Sequence, residues 1–172
     1  MKLKAYFRFP IRRTQRFKNW LGGGAMNDEL ETLDDLLSAL ASPDPRSRGR
    51  AAHRVLDFAE AAVDALFQAI ARPENRDHLG TLVYVLCAFN CESRFTELFD
   101  LALHGHYEVQ NHALSILRGQ SFDVTVEQLR LAEKALGELR ARENLPAEDV
   151  ELIRDELLRV LSRLGESTRR TA

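Results

Sequence analysis

The chain has 172 residues, of which 45% are hydrophobic and 29% are charged, and its net charge is −2. This length suits one domain with a real core, and the composition excludes a disordered or fibrous chain. No apolar run approaches the roughly 18–20 residues that span a bilayer, which predicts a protein without a membrane span.

The first 25 residues are the only strongly basic part of the sequence. They hold seven lysines and arginines and no acid, whereas the 17 basic and 26 acidic residues that follow give the remainder a net charge of −9. Three glycines at 22–24 stand just before Met26, where the composition changes. We interpret residues 1–25 as a disordered tail or a mis-assigned start, with a functional basic arm as the alternative. The acidic remainder disfavours nucleic acid as the main partner.

Helical periodicity dominates the chain from Met26 to about residue 120. Leucines at i, i+3, i+7 and i+10 from Leu30 predict a first helix, which Pro43 and Pro45 stop. Similar apolar stripes predict helices over residues 46–58, 62–71, 79–89, 92–103 and 109–117, with stops at Pro73 and Gly119. Residues 122–126 read as the start of the next helix, and no strand pattern of any length is present. The sequence therefore predicts an all-α fold.

Two longer helices with heavily charged outer faces follow, over residues 126–143 and 150–164. Pro146 restarts the chain between them, Gly165 is the expected stop, and the polar tail from Glu166 is expected to fray. We interpret residues 121–172 as a helical hairpin that caps the preceding helices, since a terminal repeat must present a polar outside. A coiled coil that dimerises the protein is the alternative.

The region between residues 37 and 117 repeats itself. A shift of thirty residues places 37–56 over 67–86, and a further shift of about thirty-one reaches 113–117. The positions that coincide include turn residues and core residues: Pro43 with Pro73, Arg46 with Arg76, Ala52 with Leu82 and Ala113, Val55 with Val85 and Ile116, and Leu56 with Leu86 and Leu117. Agreement on both the turn and the core predicts a repeat of helical pairs.

The repeat resembles HEAT-like repeats of the short bacterial type, which have an apolar first helix, an Asp-Pro turn, a Val-Arg step and a small-residue second helix ending in Leu. The matching residues are Asp44-Pro45, Arg48, Ala51-Ala52 and Leu56 in the first unit, and Glu108-Val109, Ala113 and Leu117 in the third. Ser47, Asn75 and Gln110 depart from the pattern. Over residues 26–120 the resemblance implies a short right-handed α-solenoid, and it implies that the chain acts chiefly as a binding scaffold.

Few residues suggest chemistry. Cys87 and Cys91 stand four apart and are expected to be reduced thiols of a cytoplasmic protein, without the spacing of a redox pair. His104, His106 and His112 surround one turn with Glu108 nearby, which raises a zinc site as an alternative to solvated histidines. No phosphate loop, nucleophile elbow or HExxH motif is present. The sequence therefore predicts a protein that is not an enzyme and that carries neither cofactor nor metal.

The remaining candidate is a surface formed by the second helices of the repeat, which we expect to line the concave face of the solenoid. The repeat register assigns the following residues to that face: Arg50, Arg54, Asp57, Tyr84, Asn111, Ser115 and Arg118. Arginine and tyrosine often anchor interfaces, and Arg50 and Arg54 stand one helical turn apart, where they could together hold a carboxylate or phosphate. An alternative is that Arg54 pairs with Asp57 or Asp64 and that the row is only solvated.

These features predict an interaction module or adaptor that binds an acidic or extended segment of a partner protein. The alternatives are a nucleic-acid binder that uses the row from Arg46 to Arg54, and an accessory subunit of a modifying enzyme.

Overall fold

A computed structural model of the chain describes residues 32–59, 61–139 and 147–171. Within these ranges the secondary structure consists of α-helices and two short 3-10 helices, with no strand, which confirms the all-α prediction for them. The basic leader at 1–25 and Leu30 lie outside the described residues. The α-helices are α1 (Leu33–Leu40), α2 (Pro45–Arg54), α3 (Ala61–Ala71), α4 (Leu79–Leu86), α5 (Phe95–His104), α6 (Tyr107–Gly119), α7 (Val126–Gly137) and α8 (Ala147–Thr171).

The contacts divide the chain into two compact units, the first ending at Thr81 and the second beginning at Leu82, both within α4. In the first unit, a capping box starts α1: the Thr32 hydroxyl accepts from the Asp35 amide and the Asp35 carboxylate accepts from the Thr32 amide. The helix buries Leu36, Leu37 and Leu40. Its buried stripe packs against α2 and α3.

The turn between α1 and α2 corrects the expectation that Pro45 stops a helix. Pro45 is the first residue of α2, where the missing amide hydrogen costs nothing because a helix start has no acceptor for it. Asp44 caps this start by accepting from the backbone amides of Arg46 and Ser47, at 3.2 and 2.9 Å. Pro43 lies in the turn itself.

The second helix of this pair is shorter than the predicted 46–58. After Arg54 the chain tightens into a 3-10 helix, Val55–Phe58, which ends at Ala59 with a φ of 49°. Small residues at Ala51 and Ala52 are buried, as expected for a helix that packs closely on its neighbour.

The segment after α3 is a second 3-10 helix, Pro73–His78, rather than a simple stop at Pro73. Asn75, which departs from the repeat pattern in the sequence, is buried, and its amide donates to the Ala69 carbonyl at 2.8 Å. The Ala69 carbonyl lies near the C-terminal end of α3, where helix carbonyls lack the usual i+4 amide donor, and it also accepts from the Arg72 amide at 3.2 Å. Asn75 therefore adds a second donor at the end of this helix.

In the second unit, α4 ends at Leu86, three residues before the predicted Phe89. The following residues make tighter i to i−3 backbone bonds and then turn away. The Gln120 side chain holds this turn from the far end of α6: its carbonyl accepts from the Cys91 amide and its amide donates to the Phe89 carbonyl, both at 2.8 Å.

A tight connection joins α5 to α6. Gly105 follows α5 directly, and its amide donates to the Leu101 carbonyl at 2.9 Å. A Cβ at this position would lie 2.4 Å from Val109 Cγ1 and 2.6 Å from the Leu101 oxygen. Only glycine allows α5 and α6 to approach each other this closely at their shared end.

The C-terminal helices differ from their predicted bounds. A Thr125–Gln128 capping box begins α7, so the residues before it are an extended approach rather than helix. The helix ends at Gly137 instead of about 143, and residues 140–146 lie outside the described part. Gly165 does not stop α8 and the polar tail does not fray, because the helix continues through Gly165 to Thr171.

Packing within the second unit is organised by pairs. The helices α5 and α6 pack together, as do α7 and α8, and the two pairs meet through α5 with α7 and α6 with α8. Arg163 of α8 reinforces this contact by donating to the carbonyls of Leu117 and Arg118, each at 2.6 Å, at the end of α6. Positively charged donors at a helix C-terminus also interact favourably with its dipole.

The repeat register identifies core positions well, with one exception. Val55, Val85 and Ile116, which coincide in the register, are all fully buried at 0% exposure. Leu86 and Leu117 are also fully buried, whereas their counterpart Leu56, in the 3-10 helix, is half-buried. The repeat positions therefore share burial, while the local backbone differs between units. The solenoid itself stays a prediction.

Candidate partner-binding residues

Three of the seven candidate residues belong to the first unit. Arg50 is exposed on α2, and its closest polar contact is the Ser47 hydroxyl at 3.4 Å. Arg54 is half-buried as the last residue of the helix, and Asp57 is exposed in the 3-10 helix that follows. Arg50 and Arg54 are separated by one turn, as the sequence predicts, but Arg50 is exposed whereas Arg54 is half-buried.

Arg46 belongs with Arg50 on the exposed side of α2. Its side chain is exposed and, among the described residues, forms no hydrogen bond or ion pair. Residues four apart on a helix are neighbours on its surface, so the two guanidinium groups share one face. Arg46 coincides with Arg76 in the repeat, which suggests a role in the turn. In the structure its backbone amide, rather than its side chain, takes part in the turn by donating to the Asp44 carboxylate.

Arg48 has a different role. It is half-buried and donates to the carbonyls of Ser42 at 2.7 Å and Pro43 at 3.0 Å, which lie in the turn after α1. A guanidinium with several fixed donors suits this task, because it satisfies more than one orphan carbonyl. Arg48 therefore stabilises the turn after α1.

Asp44 is the carboxylate nearest to the exposed arginines in sequence. Hydrogen bonds from the Ser47 hydroxyl and from the Ser47 and Arg46 amides lower its pKa, and the charge of Arg50 contributes in the same direction. Its oxygens are thereby committed to the start of α2. The helix itself, Pro45–Arg54, contains no acidic residue, so the exposed face of α2 is positive.

The other four candidate residues belong to the second unit. The Tyr84 ring lies against His112, with 5.1 Å between ring centroids and 53° between their planes. Burial lowers the pKa of His112, an effect that the charge of Glu108 opposes. Burial also raises the pKa of Tyr84, with a smaller contribution from Cys87. Tyr84 is thus a half-buried member of a contact between α4 and α6.

Asn111, Ser115 and Arg118 follow along α6. The Asn111 amide donates to the Tyr107 carbonyl of its own helix at 2.9 Å, and Ser115 is half-buried. Arg118 Nε lies 3.4 Å from a Glu156 carboxylate oxygen on α8, and the Glu156 side chain is only 12% exposed. Arg118 therefore contributes to the packing of α8 on α6. Asn111 and Ser115 are the two other candidates on α6, and neither has this packing role.

Neither cysteine has the environment of a nucleophile. Burial raises the pKa of both the Cys87 and the Cys91 thiol to about 12. The Cys87 sulfur faces the Val83 and His112 carbonyls at 3.8 and 3.9 Å, and the Cys91 sulfur faces the carbonyls of Leu86 and Phe89. Because the thiolate is the reactive form, these are inert, packed thiols at neutral pH.

The three histidines near the α5–α6 turn have separate surroundings. His104 Nδ1 lies 2.7 Å from an Asp100 oxygen, His106 is the exposed residue that precedes α6, and His112 contacts Tyr84. Within the ranges that the structure describes, no three histidine, cysteine or acidic side chains come together as metal ligands would. The same described residues include no helix that is both long and apolar enough to cross a membrane.

Sequence reasoning missed the residues that hold the second unit together. Gln120 and Arg163 bind carbonyls 31 and 46 residues away along the chain, and neither carries a local signal of that role. Comparison with family models, with curated proteins and with solved structures found no match to this chain.

Proposed function

We propose that this chain is a non-catalytic interaction module, built of HEAT-like helical pairs, that binds an acidic segment of a partner protein. The observation that carries the proposal is the positive face of α2: Arg46 and Arg50 are exposed one turn apart on a helix without an acidic residue. Arginine is enriched where proteins bind one another, and its planar group pairs with carboxylates through two bonds at once.

The packing supports the HEAT-like part of the proposal. Helices pair as α1–α2, α5–α6 and α7–α8, and neighbouring pairs within the second unit touch through both of their helices. Asp44 and Arg48, two residues that carry the resemblance, cap α2 and hold the preceding turn. In this proposal the second helices line a concave face, and α7 with α8 forms the capping hairpin of a cytoplasmic adaptor.

The residues that the repeat register assigns to the second helices all remain part of the proposal, each within its own unit. Arg50, Arg54 and Asp57 belong to the first unit, and Tyr84, Asn111 and Ser115 belong to the second. Arg118 also belongs to the second unit, and its guanidinium already forms an ion pair with Glu156.

A nucleic-acid partner is the competing function, because the same arginines could bind phosphates. Two features favour a protein instead. The chain after the leader has a net charge of −9, which repels a long polyanion. Asp44 and Asp57, both exposed, also lie just before and just after the helix that carries the arginines, so the positive stretch is short.

Affinity capture with the full chain tests the proposal. We expect Arg50→Gln in the first unit and Asn111→Ala in the second each to weaken capture of the same protein about tenfold. Arg130→Gln, which changes an exposed arginine on α7, is the matched control and should leave capture unchanged. Capture that is indifferent to all three substitutions, or that nuclease treatment abolishes, contradicts the proposal.

A further inference from the structure

We infer that α2 binds an acidic α-helix, with Arg46 and Arg50 pairing with two carboxylates four residues apart on it and Gly49 admitting its backbone. This inference rests on the proposed function and specifies the partner segment. It depends on three features of α2: the exposure of the two arginines, the absence of competing acids on the helix, and a glycine that the fold itself does not need.

The two arginines present their charges at a helical spacing. Arg46 and Arg50 are exposed and four residues apart, which corresponds to about 6 Å along the axis of α2. Two carboxylates at i and i+4 of a second helix have the same separation, since both helices have the same rise per residue. Each guanidinium then meets one carboxylate without any change in either backbone.

The local charges leave these arginines available. Among the described residues, Arg46 makes no side-chain hydrogen bond or ion pair, and Arg50 has one long hydrogen bond to Ser47 and a weaker charge interaction with Asp44. The neighbouring carboxylate, Asp44, already accepts two backbone amides and the Ser47 hydroxyl. Asp44 stays charged and offsets part of the positive potential near Arg50, while the side chains of Arg46 and Arg50 remain exposed to an acidic surface.

Gly49 is the second, independent observation. It lies in the interior of α2, where glycine is less favourable than alanine because it loses more backbone freedom on folding. A Cβ at this position would meet nothing within 4 Å, so no contact inside the fold requires glycine. Gly49 is three residues after Arg46 and so neighbours it on the helix surface, about 100° around the helix from Arg50. A partner helix that approaches closely beside Arg46 gives this glycine a purpose.

A helix fits this place better than an extended segment. Rows of residues four apart form ridges on a helix, and such ridges pack into the corresponding grooves of a neighbour. The missing side chain at Gly49 supplies a depression beside the ridge of Arg46 and Arg50. An extended strand places same-face side chains about 6.7 Å apart and has no ridge of this kind.

Titration of the full chain with designed peptides tests the inference. The first probe is an alanine-rich helical peptide with glutamates at i, i+4 and i+8, and the second has the same composition with glutamates at i, i+2 and i+4. We expect the first peptide to bind at least about fivefold more tightly in low salt, and the difference to shrink as salt screens the pairs. Equal affinity for the two peptides contradicts the helical partner.

Variants of α2 test the assignment to named residues. Arg46→Gln and Arg50→Gln should each lower the affinity for the first peptide about tenfold, as loss of a charge-assisted pair does. Arg130→Gln and Arg159→Gln, both at exposed arginines on other helices, should change the affinity for this peptide less than twofold. Helix content by circular dichroism checks that every variant is folded. Unchanged binding by both α2 variants overturns the inference.

Gly49→Ala separates binding from folding. Nothing in the fold opposes the added methyl group, so the midpoint of thermal unfolding should rise. The same methyl group should lower the affinity for the first peptide at least about threefold if a helix approaches at this point. A variant that is more stable and binds equally well contradicts the role of Gly49.

Three further outcomes show which part of the account is wrong. If the peptides do not bind but capture of a protein partner still depends on Arg50, the helical specification is wrong and the proposed function stands. If an oligothymidylate binds more tightly than the peptides and loses affinity with Arg46→Gln and Arg50→Gln, both the inference and the proposed function are wrong. Self-association that these variants abolish identifies a second copy of the chain as the occupant and also overturns the inference.

Discussion

Substitution of Gly105 by alanine tests the closest approach in the second unit. The backbone φ at Gly105 is −64°, which alanine adopts readily, so any cost must come from the side chain. The new Cβ would lie 2.4 Å from Val109 Cγ1, 2.8 Å from Val109 Cβ and 2.6 Å from the Leu101 carbonyl oxygen. Favourable carbon contacts begin near 3.5 Å, so α5 and α6 must separate by about 1 Å at this end.

The expected loss in the free energy of unfolding is about 3 kcal/mol, at the upper end of the range for overpacking. The reason is that the Leu101 oxygen is backbone and also accepts the Gly105 amide, so it cannot move without breaking the end of α5. Gly165→Ala is the matched control, because Gly165 lies within α8 and its Cβ would meet nothing within 4 Å. There we expect a gain of about 1 kcal/mol.

Urea denaturation followed by circular dichroism at 222 nm measures both variants, with a shared slope as the check that they unfold in the same way. The two glycines are distinguished only by their surroundings, so the opposite signs of their effects are the essential result. If Gly105→Ala unfolds within about 0.5 kcal/mol of the original chain, the tight approach of α5 and α6 is wrong.

Three other predictions concern single positions. Ala59→Gly should raise the free energy of unfolding by about 1 kcal/mol in the same urea experiment, because φ there is 49°, and a loss of stability would contradict that backbone. Burial lowers the pKa of His112, so the contribution of its neutral imidazole to the free energy of unfolding is complete above about pH 6.5 and is lost as pH falls below that value. His112→Gln should therefore flatten the slope of the free energy of unfolding against pH in this window, and an unchanged slope would count against burial of the imidazole. Cys87 and Cys91, with pKa values raised to about 12, should react with iodoacetamide at pH 8 only after urea is added, and rapid labelling of the folded chain would refute their packing.

Much of the helical architecture could be predicted from the sequence, because buried positions recur with helical spacing. The register that aligned Val55 with Val85 and Ile116 identified three fully buried side chains. Helix ends were predicted less well, because a proline or glycine alone does not fix an end. Pro45 begins a helix since Asp44 caps it, and Gly165 is tolerated inside α8.

The candidate residues were only partly predictable. The position of Arg50 on an exposed face of α2 could be predicted from the repeat, because it follows the period of a helix face. The ion pair of Arg118 could not be predicted, since its partner Glu156 is 38 residues away and only the packing of α8 on α6 brings them together. The same reason hides Arg163, whose bonds to the end of α6 leave no pattern in the local sequence.

Charge reversal at α2 tests the central claim, that α2 binds carboxylates through Arg46 and Arg50, most directly. Two chains are compared, the original and Arg46→Glu with Arg50→Glu, against the helical glutamate peptide and a matching lysine peptide. Our account predicts that the original chain binds only the glutamate peptide, and that the reversed chain binds only the lysine peptide. If both chains prefer the same peptide, these two arginines do not form the binding site.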